Sequence, residues 1–490
     1  FSADEAGRYF ILISATNAGG TTEKEIRIDV FQLDVPTISI ADADKGFKVL
    51  QGSELTITPI VDSFLETSYS WQINGEDISN ELTCTLPTIE LGEYQVRFAT
   101  HNEDGDDEVT FKVEVCSPDQ VDFNWTFLQT EYNMSAGRTI RIKPVDVNNA
   151  LDAVYTWTVD NEQVQSGEND TYLFTSEQQG EHTVKVEMKN SYILATQTLK
   201  VNVCPPAGTY QRKISATSSA SMNKVYEYLP APGQFINENH NTTTMAEACT
   251  YAEERINQTA YVSLGGFGGY IIVGFDHSIV NDGDYNIAIT GNAFDGSSEP
   301  GIVWVMQDEN GDGLPNDTWY ELRGSEYGKA EAWQDYAVTY HKPTGIQLPT
   351  PWTDNHGQSG SIDYLGAFHR QDYYYPAWVK EKQYTLRGTR LKERNYDQSG
   401  NGTYWVNDSY EWGYADNFSA IDRLTDDDNY NAGPSDNHFK ISHAVTFDGK
   451  DANLKYVDFI KVQVGVNSKS GWLGEISTEV FGIKDFNMLE

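Results

Sequence analysis

The stretch with the clearest potential for chemistry is DENGDGLPND, a polar insert between two apolar runs. Asp308, Asn310 and Asp312 stand at alternate positions, so their side-chain oxygens can converge on one hard cation. Gly313 follows at the position where a calcium loop bends sharply. The sequence therefore predicts a Ca²⁺ site, and the predicted ligands are Asp308, Asn310, Asp312, the carbonyl of Leu314, Asp317 and Glu321.

This loop differs from helix-flanked calcium loops in two respects. Position twelve, where a bidentate Glu is expected, is Trp319, so that Asp317 or Glu321 would have to close the shell. The flanking runs IVWVM and WYEL favour strands. The sequence predicts a calcium loop on a β scaffold and leaves open a long polar hairpin without metal, because Asp, Asn and Gly are also common turn formers.

A second candidate site is an aromatic tract between this loop and the end of the chain. Consecutive aromatic residues in a strand face opposite sides, so some of these rings must be exposed or must meet another element. Tyr and Trp rings with a few polar groups nearby suit a sugar ring or a flat macrocycle. The alternative is that the rings pack under long loops. The predicted ligand-binding residues are Tyr373, Tyr374, Tyr375, Trp378, Tyr404, Trp405, Tyr410 and Trp412.

Catalysis has weaker support in the sequence, and no catalytic residue is predicted. The chain contains no H-E-x-x-H, no G-x-S-x-G and no Cys-His set with metal spacing. Two carboxylates at glycosidase separation could occur by chance among 73 acidic residues. The acidic run Asp426 to Asp428 could be a second cation site, although charge runs are more commonly solvated loops.

Composition restricts the class of partner. Lys plus Arg is 34 against 73 for Asp plus Glu, which gives a net charge of −39. Such an acidic chain repels nucleic-acid phosphates and anionic membranes, so no nucleic-acid partner is predicted. No apolar run reaches the ~18 residues of a membrane span. The 490 residues suggest three or four domains at a prior of about 150 residues each.

The first two-fifths of the chain is repetitive. Segments with the pattern of a hairpin begin at Gly7, Gly92 and Gly180, at intervals of 85 and 88 residues. Trp71 and Trp157, 86 residues apart, each stand in the middle of a predicted strand before a polar turn. A Trp in mid-strand followed by a terminal hairpin predicts an immunoglobulin-like sandwich. The inter-sheet disulfide of that fold is missing, so packing alone must hold each Trp.

The repeats end at CPPAGTY, a Pro-Pro-Gly junction at residues 204–210. About ten short strands and one helix after it predict a two-sheet jelly roll. The helix starts at a capping box of Thr244 and Glu247. The predicted fold is all-β, with tandem immunoglobulin-like sandwiches before a larger sandwich. The predicted domains are 1–33 (the end of a truncated repeat), 34–117 and 118–206 (complete repeats) and 207–490 (a jelly-roll ligand-binding domain).

The repeats resemble PKD-like domains, although the W-D-F-G-D-G signature is replaced by W-Q-I-N-G-E and W-T-V-D-N-E. The motifs SLGGFGGYIIVGFD, DENGDGLPNDTWYEL, YYPAW, WGYADN and GEISTEV resemble a family of cell-surface proteins from Bacteroidetes-type bacteria, in which a jelly roll follows PKD-like repeats. The resemblance implies an extracellular lipoprotein, and for some members capture of glycans or corrinoids. Because the chain opens inside a repeat, we expect its outer-membrane anchor to lie in a preceding segment.

These observations together predict a non-enzymatic surface protein that captures an extracellular nutrient, a carbohydrate or a corrinoid-type ligand. Its C-terminal sandwich would be stabilised by calcium, and an outer-membrane uptake complex is a possible partner. One alternative is a glycoside hydrolase or lyase, and another is a purely structural adhesin. Of the four cysteines, Cys84, Cys116, Cys204 and Cys249, the pair Cys204 and Cys249 is the most plausible disulfide, which the sequence does not settle.

Overall fold

The computed structural model describes residues 1–2, 7–30, 33–41, 43–63, 65–88, 90–117, 125–147, 150, 153–190, 194–238, 240–424 and 434–489. Strands dominate this part of the chain, and one α-helix accompanies them, which confirms the all-β prediction. The chain divides into two compact units, Phe1–Val121 and Asp122–Glu490. No helix among the described residues is long and apolar enough to cross a membrane.

The first unit contains a hairpin and a sandwich. In the hairpin, β1 (Gly7–Asn17) pairs antiparallel with β2 (Gly20–Val30). The strands of the sandwich are β3 (Thr37–Ser39), β4 (Phe47–Leu50), β5 (Leu55–Ile57), β6 (Ile60–Asp62), β7 (Ser68–Ile73), β8 (Glu76–Ser79), β9 (Cys84–Leu86), β10 (Gly92–Asn102) and β11 (Gly105–Cys116). One sheet has the order β4-β11-β10-β7-β8, and the shorter pairs are β3-β6 and β5-β9. Trp71 is fully buried against Phe98 and Phe111.

The second unit opens with a sandwich of the same design. Its strands are β12 (Glu131–Ser135), β13 (Thr139–Ile142), β14 (Val154–Val159), β15 (Glu162–Gly167), β16 (Tyr172–Thr175), β17 (Gly180–Lys189) and β18 (Leu194–Cys204). The larger sheet has the order β12-β18-β17-β14-β15, and β13 pairs with β16. Strand β12 runs parallel to β18, as β4 does to β11. Trp157 is fully buried beside Tyr172, and its indole N–H has no hydrogen-bond partner, so packing alone holds it, as predicted. For Trp71 the prediction is wrong, because its indole N–H also donates to the carbonyl of Glu81 at 3.0 Å.

The rest of the second unit is a larger β structure with one helix. Its elements in chain order are β19 (Lys224–Leu229), α1 (Met245–Asn257), β20 (Val262–Ser263), β21 (Tyr270–Val280), β22 (Ile287–Gly291), β23 (Gly301–Met306), β24 (Trp319–Leu322), β25 (Trp333–His341), β26 (Thr350–Asp354), β27 (Ser359–Ile362), β28 (Gln383–Arg390), β29 (Asn395–Asp397), β30 (Trp405–Asn407), β31 (Ser435–Phe439), β32 (Ala444–Val445), β33 (Tyr456–Val464), β34 (Glu479–Val480) and β35 (Gly482–Asp485). Short 3-10 turns occupy Ile441–His443, Gly471–Leu473 and Phe486–Met488.

These strands form three main antiparallel sheets around one apolar core. Their orders are β19-β21-β33-β23-β24-β32, β27-β26-β25-β28 and β31-β22-β35. Strands β21, β22 and β33 are nearly continuous apolar runs, and both of their faces are buried. That pattern is expected of strands covered on two sides. The more specific prediction of a two-sheet jelly roll stays a prediction.

The predicted helix is confirmed together with its cap. Thr244 is the N-cap, and its hydroxyl accepts the N–H of Glu247 at 3.3 Å. The carboxylate of Glu247 accepts the N–H of Thr243 at 2.7 Å, so two amide groups that the helix leaves unpaired are satisfied. Ala248 and Ala252 lie on the buried face.

The four cysteines are free thiols, which makes the suggested disulfide between Cys204 and Cys249 wrong. Cys84, Cys116 and Cys204 are buried, and Cys249 is half-buried. Burial raises the pKa of Cys204 to about 11, with nearby acidic groups adding to the effect. These thiols therefore behave as small apolar core residues.

Candidate functional site

The polar loop is folded by its own side chains into successive tight turns. Asp308 accepts the backbone N–H groups of Gly311 at 2.7 Å and Gly313 at 3.0 Å. The side-chain amide of Asn310 donates to Asp312 at 2.8 Å. Both glycines have positive φ values, 78° and 74°, which residues with a Cβ rarely adopt. Three of the six predicted calcium ligands, Asp308, Asn310 and Asp312, thus make the hydrogen bonds that fold this loop.

The other three predicted ligands lie in different surroundings. Asp317 is at the base of the loop, where its Oδ2 accepts the N–H of Glu309 at 2.9 Å. The side chain of Leu314 is exposed. Glu321 is buried in β24 and accepts the Thr389 hydroxyl at 2.6 Å, so it would have to leave that bond to join the loop. Calcium coordination by the full set stays a prediction.

Glu309, inside the same loop, is buried against the second repeat. Its Oε2 accepts the N–H of Ser135 at 3.1 Å, and its Oε1 lies 3.4 Å from Nε of Arg138. Arg138 also donates to the carbonyl of Ala452 at 3.0 Å. Burial raises the pKa of Glu309 to about 7, although Arg138 opposes the shift, and burial raises that of Asp317 to about 8. The polar loop is therefore a docking element inside the second unit.

A second set of ion pairs joins the same repeat to the larger β structure. Arg141 and Lys143 contact Asp335 at 2.9 Å and 2.7 Å. Arg387 forms an ion pair with Asp146. The sequence gives no signal for these ion pairs, because the two partners of each pair lie more than a hundred residues apart in the chain.

Half of the predicted aromatic site belongs to the apolar core. The buried members are Tyr374, Tyr375, Trp378 and Tyr410. The hydroxyl of Tyr375 donates to the carbonyl of Glu381 at 2.9 Å, and that of Tyr410 donates to the carbonyl of Lys392 at 2.6 Å. The structure corrects the expectation of ligand contact for these four rings, because packing and backbone acceptors leave them no free surface. They pack under long loops, as the alternative described.

Tyr374 has a supporting role instead. Its hydroxyl accepts the N–H of Leu365 at 3.0 Å and donates to the carbonyl of His369 at 3.0 Å. Both bonds fix the loop that carries Phe368. Nδ1 of His369 lies 2.6 Å from a carboxylate oxygen of Glu238, which anchors the same loop from another side.

The other four predicted rings differ in exposure. Tyr373, Trp405 and Trp412 are half-buried, whereas Tyr404 is 60% exposed. Tyr404 immediately precedes β30, and Trp405 is the first residue of that strand. The predicted tract therefore does not form one continuous platform.

An exposed aromatic face occurs elsewhere in the second unit. We define it by Phe368, Trp472 and Leu473, which are 65%, 49% and 41% exposed. The ring centroids of Phe368 and Trp472 are 6.3 Å apart. Trp405 packs directly beneath this face against Gly471, where an added Cβ would lie 2.1 Å from the indole nitrogen. One predicted residue thus supports a surface that sequence reasoning missed.

The turn that carries Trp472 is held tightly. The N–H of Ser470 donates to the carbonyl of Gly474 at 2.9 Å, and the side-chain amide of Gln234 donates to the carbonyl of Leu473 at 2.7 Å. Beside the turn, Lys469 forms an ion pair with Asp363 at 2.7 Å. Phe368 and Trp472 are isolated aromatic residues in GAFHRQ and SGWLGE, so their local sequence contains no aromatic density that would reveal them.

Three acidic side chains converge inside the second unit, and we call them the acidic trio. Glu299 precedes β23, Asp416 follows β30 and Glu479 begins β34, and carboxylate oxygens of the three lie within 4.8 Å of one another. Asp416 accepts the N–H groups of Asn292 at 2.7 Å, Ala293 at 2.8 Å and Glu479 at 2.9 Å. Burial raises the pKa of Glu299 to about 7 and that of Asp416 to about 8.

A separate cavity of about 770 Å³ opens beside the three-stranded sheet. Its lining includes Thr290, Asp436, His438 and Lys484, and none of the predicted aromatic residues. The acidic run Asp426 to Asp428 lies outside the described residues.

Two segments of the chain match a known family model. Residues 35–102 and 127–190 match the family described as PKD-like domain, which confirms the two complete immunoglobulin-like repeats. Comparison with curated proteins gave no match.

Similar solved structures are immunoglobulin- or fibronectin-like modules. Fibronectin(III)-like modules of CbhA from Clostridium thermocellum are 16% identical over 36% of this chain and 100% of that chain, with a TM-score of 0.19. A chimeric titin Z1Z2 is 20% identical over 35% of this chain and 98% of that chain, with a TM-score of 0.21. The N-terminal Ig1-2 module of the Drosophila receptor protein tyrosine phosphatase DLAR is 12% identical over 34% and 97%, with a TM-score of 0.18.

Proposed function

We propose that this chain belongs to a non-catalytic, extracellular binding protein that captures a carbohydrate on the aromatic face of its second unit. One observation carries the proposal. Phe368 and Trp472 contact each other, yet each leaves about half or more of its surface in water. Large rings are normally buried, so two adjacent exposed rings indicate a surface that another molecule covers.

The chemistry of the face suits a sugar. The apolar side of a sugar ring can cover an aromatic ring, and burying apolar surface contributes about 25 cal/mol per Å². Because the turn at Trp472 is already fixed by hydrogen bonds, little conformational entropy is lost on binding. Lys469 and Asp363, a half-exposed ion pair, supply polar groups that can orient hydroxyls.

The extracellular, surface-anchored setting is also part of the proposal. Its support is the presence of PKD-like repeats and the resemblance of the C-terminal motifs to bacterial surface proteins. In that setting the protein would deliver its ligand to an outer-membrane uptake complex. Calcium binding by the polar loop belongs to the same proposal, and its support is the grouping of Asp308, Asn310 and Asp312.

A hydrolase is the second candidate function, and Glu475 favours it. This residue lies three positions after Trp472, is 5% exposed, and has one carboxylate oxygen without a hydrogen-bond partner. Burial raises its pKa to about 8, as a general acid requires. Its burial, however, separates it from any substrate on the surface, so binding without cleavage remains the main proposal.

The test is calorimetry of the full chain against a panel of polysaccharides and a corrinoid. We expect one glycan class to bind, and Trp472→Ala to weaken its binding about tenfold or more. Phe10→Ala is the matched control, because Phe10 is 57% exposed in the first hairpin and should leave affinity unchanged.

Three outcomes would contradict this assignment. Equal binding by Trp472→Ala would remove the aromatic face from the site. Binding of the corrinoid alone would change the ligand class. New reducing ends in the polysaccharide, lost in Glu475→Gln, would establish the hydrolase.

A further inference from the structure

The acidic trio differs from two other buried acids of the second unit, Asp458 and Asp485. Asp458 is fully buried and lies 3.0 Å from Arg212, and Asp485 is fully buried and lies 2.9 Å from His277. In the part of the chain that the structure describes, no Lys, Arg or His forms an ion pair with the trio. Buried charges are normally paired or bind metals. The trio therefore lacks the ion-pair partner that Asp458 and Asp485 have.

One atom of the trio is also without a hydrogen-bond partner. Glu479 is 5% exposed, and its Oε1 is buried and accepts no hydrogen bond. Nearly all buried polar atoms in proteins have a partner, so an orphaned carboxylate oxygen beside two other carboxylates points to a missing ligand. This observation is independent of the clustering itself.

Burial and hydrogen bonding act in opposite directions on the charge of the trio, because burial raises the pKa of all three carboxyl groups. Three backbone N–H groups donate to Asp416, which favours the carboxylate over the protonated acid. The N–H of Ser477 donates to Glu299 at 3.3 Å. Glu299 is half-buried, whereas Asp416 and Glu479 are buried.

We infer that Glu299, Asp416 and Glu479 bind one hard divalent cation, with Ca²⁺ as the expected occupant. All three donors are carboxylate oxygens, which suit Ca²⁺, Mg²⁺ or Mn²⁺ and not the softer metals that prefer nitrogen or sulfur. Ca²⁺ accepts irregular shells completed by water, whereas Mg²⁺ requires a regular octahedron. The inference does not depend on the carbohydrate proposal.

A cation at this place would join three segments that are far apart in sequence. Glu299 stands before β23, Asp416 stands beside β22 through its bonds to Asn292 and Ala293, and Glu479 pairs with Ser263 of β20. Because the ligands converge only in the folded chain, binding would stabilise the second unit.

The experiment is calcium titration of the chelator-treated full chain by calorimetry, with thermal melting as the second readout. We expect wild type to bind Ca²⁺ and to melt at a higher temperature with millimolar Ca²⁺ than with chelator. Glu479→Gln keeps the shape of the side chain and removes its charge, and it should lose about tenfold or more of the affinity of one site. Glu299→Gln, at the half-buried position, should do the same and covers the case in which Glu479→Gln does not fold.

Two further variants separate this site from its neighbours. Asp485→Asn changes a fully buried acid outside the trio and should leave the affinity within about threefold of wild type. Asp312→Asn changes the polar loop and should leave the Glu479-dependent site in place. Titrations with Mg²⁺ and Mn²⁺ rank the cations, and Ca²⁺ should bind more tightly than Mg²⁺.

The inference is overturned if wild type binds no divalent cation. It is also overturned if Glu299→Gln and Glu479→Gln, once shown to be folded, bind as wild type does. Loss of all Ca²⁺ binding in Asp312→Asn alone would assign the ion to the polar loop and leave the trio as a proton-sharing cluster.

Discussion

The two complete repeats contain the same turn after their first parallel strand. Gln51 donates its N–H to the last carbonyl of β11 at 3.0 Å, and Ala136 makes the same bond to the last carbonyl of β18 at 3.0 Å. The next residues, Gly52 and Gly137, have φ values of 81° and 83°. The backbone of the turn is therefore conserved between the repeats, and only the side chains differ.

The two turns have different contact partners. In the first repeat, the hydroxyl of Ser53 donates to the carbonyl of Leu50 at 2.6 Å, so this hydrogen bond stays within the turn. In the second repeat, Ser135 and Arg138 occupy the positions that match Leu50 and Ser53. The backbone N–H of Ser135 and the side chain of Arg138 both contact Glu309 of the polar loop. The side chain of Arg138 thus adds a docking contact to a turn whose backbone is the same in both repeats.

Among the variants considered, Arg138→Ala should cause the largest difference in stability between the two turns. Arg138→Ala leaves the buried carboxylate of Glu309 without its partner, and breaking a buried pair costs about 3–5 kcal/mol. Hydrogen exchange of β12 and β13 in the full chain would measure the loss. Because Glu309 can take up a proton near its raised pKa, the cost should be larger at pH 8 than at pH 6.

Ser53→Ala is the matched control in the first repeat, and it should cost about 1 kcal/mol or less. Glu309→Gln combined with Arg138→Ala should recover part of the loss, since no unpaired charge remains. Equal effects of the two single variants would mean that the second turn does not dock through this pair.

The paired glycines allow a finer comparison. An alanine at either position meets the unfavourable left-handed backbone, which costs about 1–2 kcal/mol. At Gly52 the added Cβ has open space, whereas at Gly137 it would lie 2.8 Å from a carboxylate oxygen of Glu177. We expect Gly137→Ala to destabilise its repeat slightly more than Gly52→Ala in chemical denaturation. The reverse order would show that Glu177 moves aside without cost.

A second matched turn differs in its ionisable groups. Asn74 and Asp160 both have positive φ values and accept the N–H of the strand opposite, from Gln95 and Thr183, at 2.9 Å each. Only the second repeat adds a histidine there: Nδ1 of His182 lies 2.7 Å from a carboxylate oxygen of Asp160.

The smallest expected effect concerns this histidine. The Gln178 carbonyl and then Asp160 raise the pKa of His182 above its ordinary value of 6.5. Its stabilisation is therefore complete below pH 6.5 and is lost as pH rises through the raised pKa. We expect His182→Gln to cost about 1 kcal/mol at pH 6 and less at pH 9. A cost independent of pH in thermal melts would assign His182 a packing role alone.

Local signals in the sequence predict local structure well. The capping box at Thr244, the buried Trp71 and Trp157, and the strands on both sides of the polar loop are found as predicted. Each depends on residues that are close in sequence. The polar insert also folds into the expected turns around Asp308.

Sites assembled from distant residues could not be predicted in the same way. Nothing near Glu309 indicates that Arg138 will contact it, and the acidic trio combines residues 299, 416 and 479. Aromatic density suggested the tract around Tyr374, yet density cannot distinguish a core from a surface, and the exposed Trp472 stands alone in sequence. Burial is set by the tertiary fold, and a single sequence does not contain it explicitly.

The parallel pairing of β4 with β11 and of β12 with β18 has a mechanical consequence. The two strands of each pair are neighbours in the sheet but lie near opposite ends of the repeat's sequence. Tension applied along the chain therefore pulls the two strands of a pair in opposite directions. The inter-strand bonds then bear the load together in shear and do not open one after another like a zipper. The repeats would resist such tension even though their thiols form no covalent cross-links.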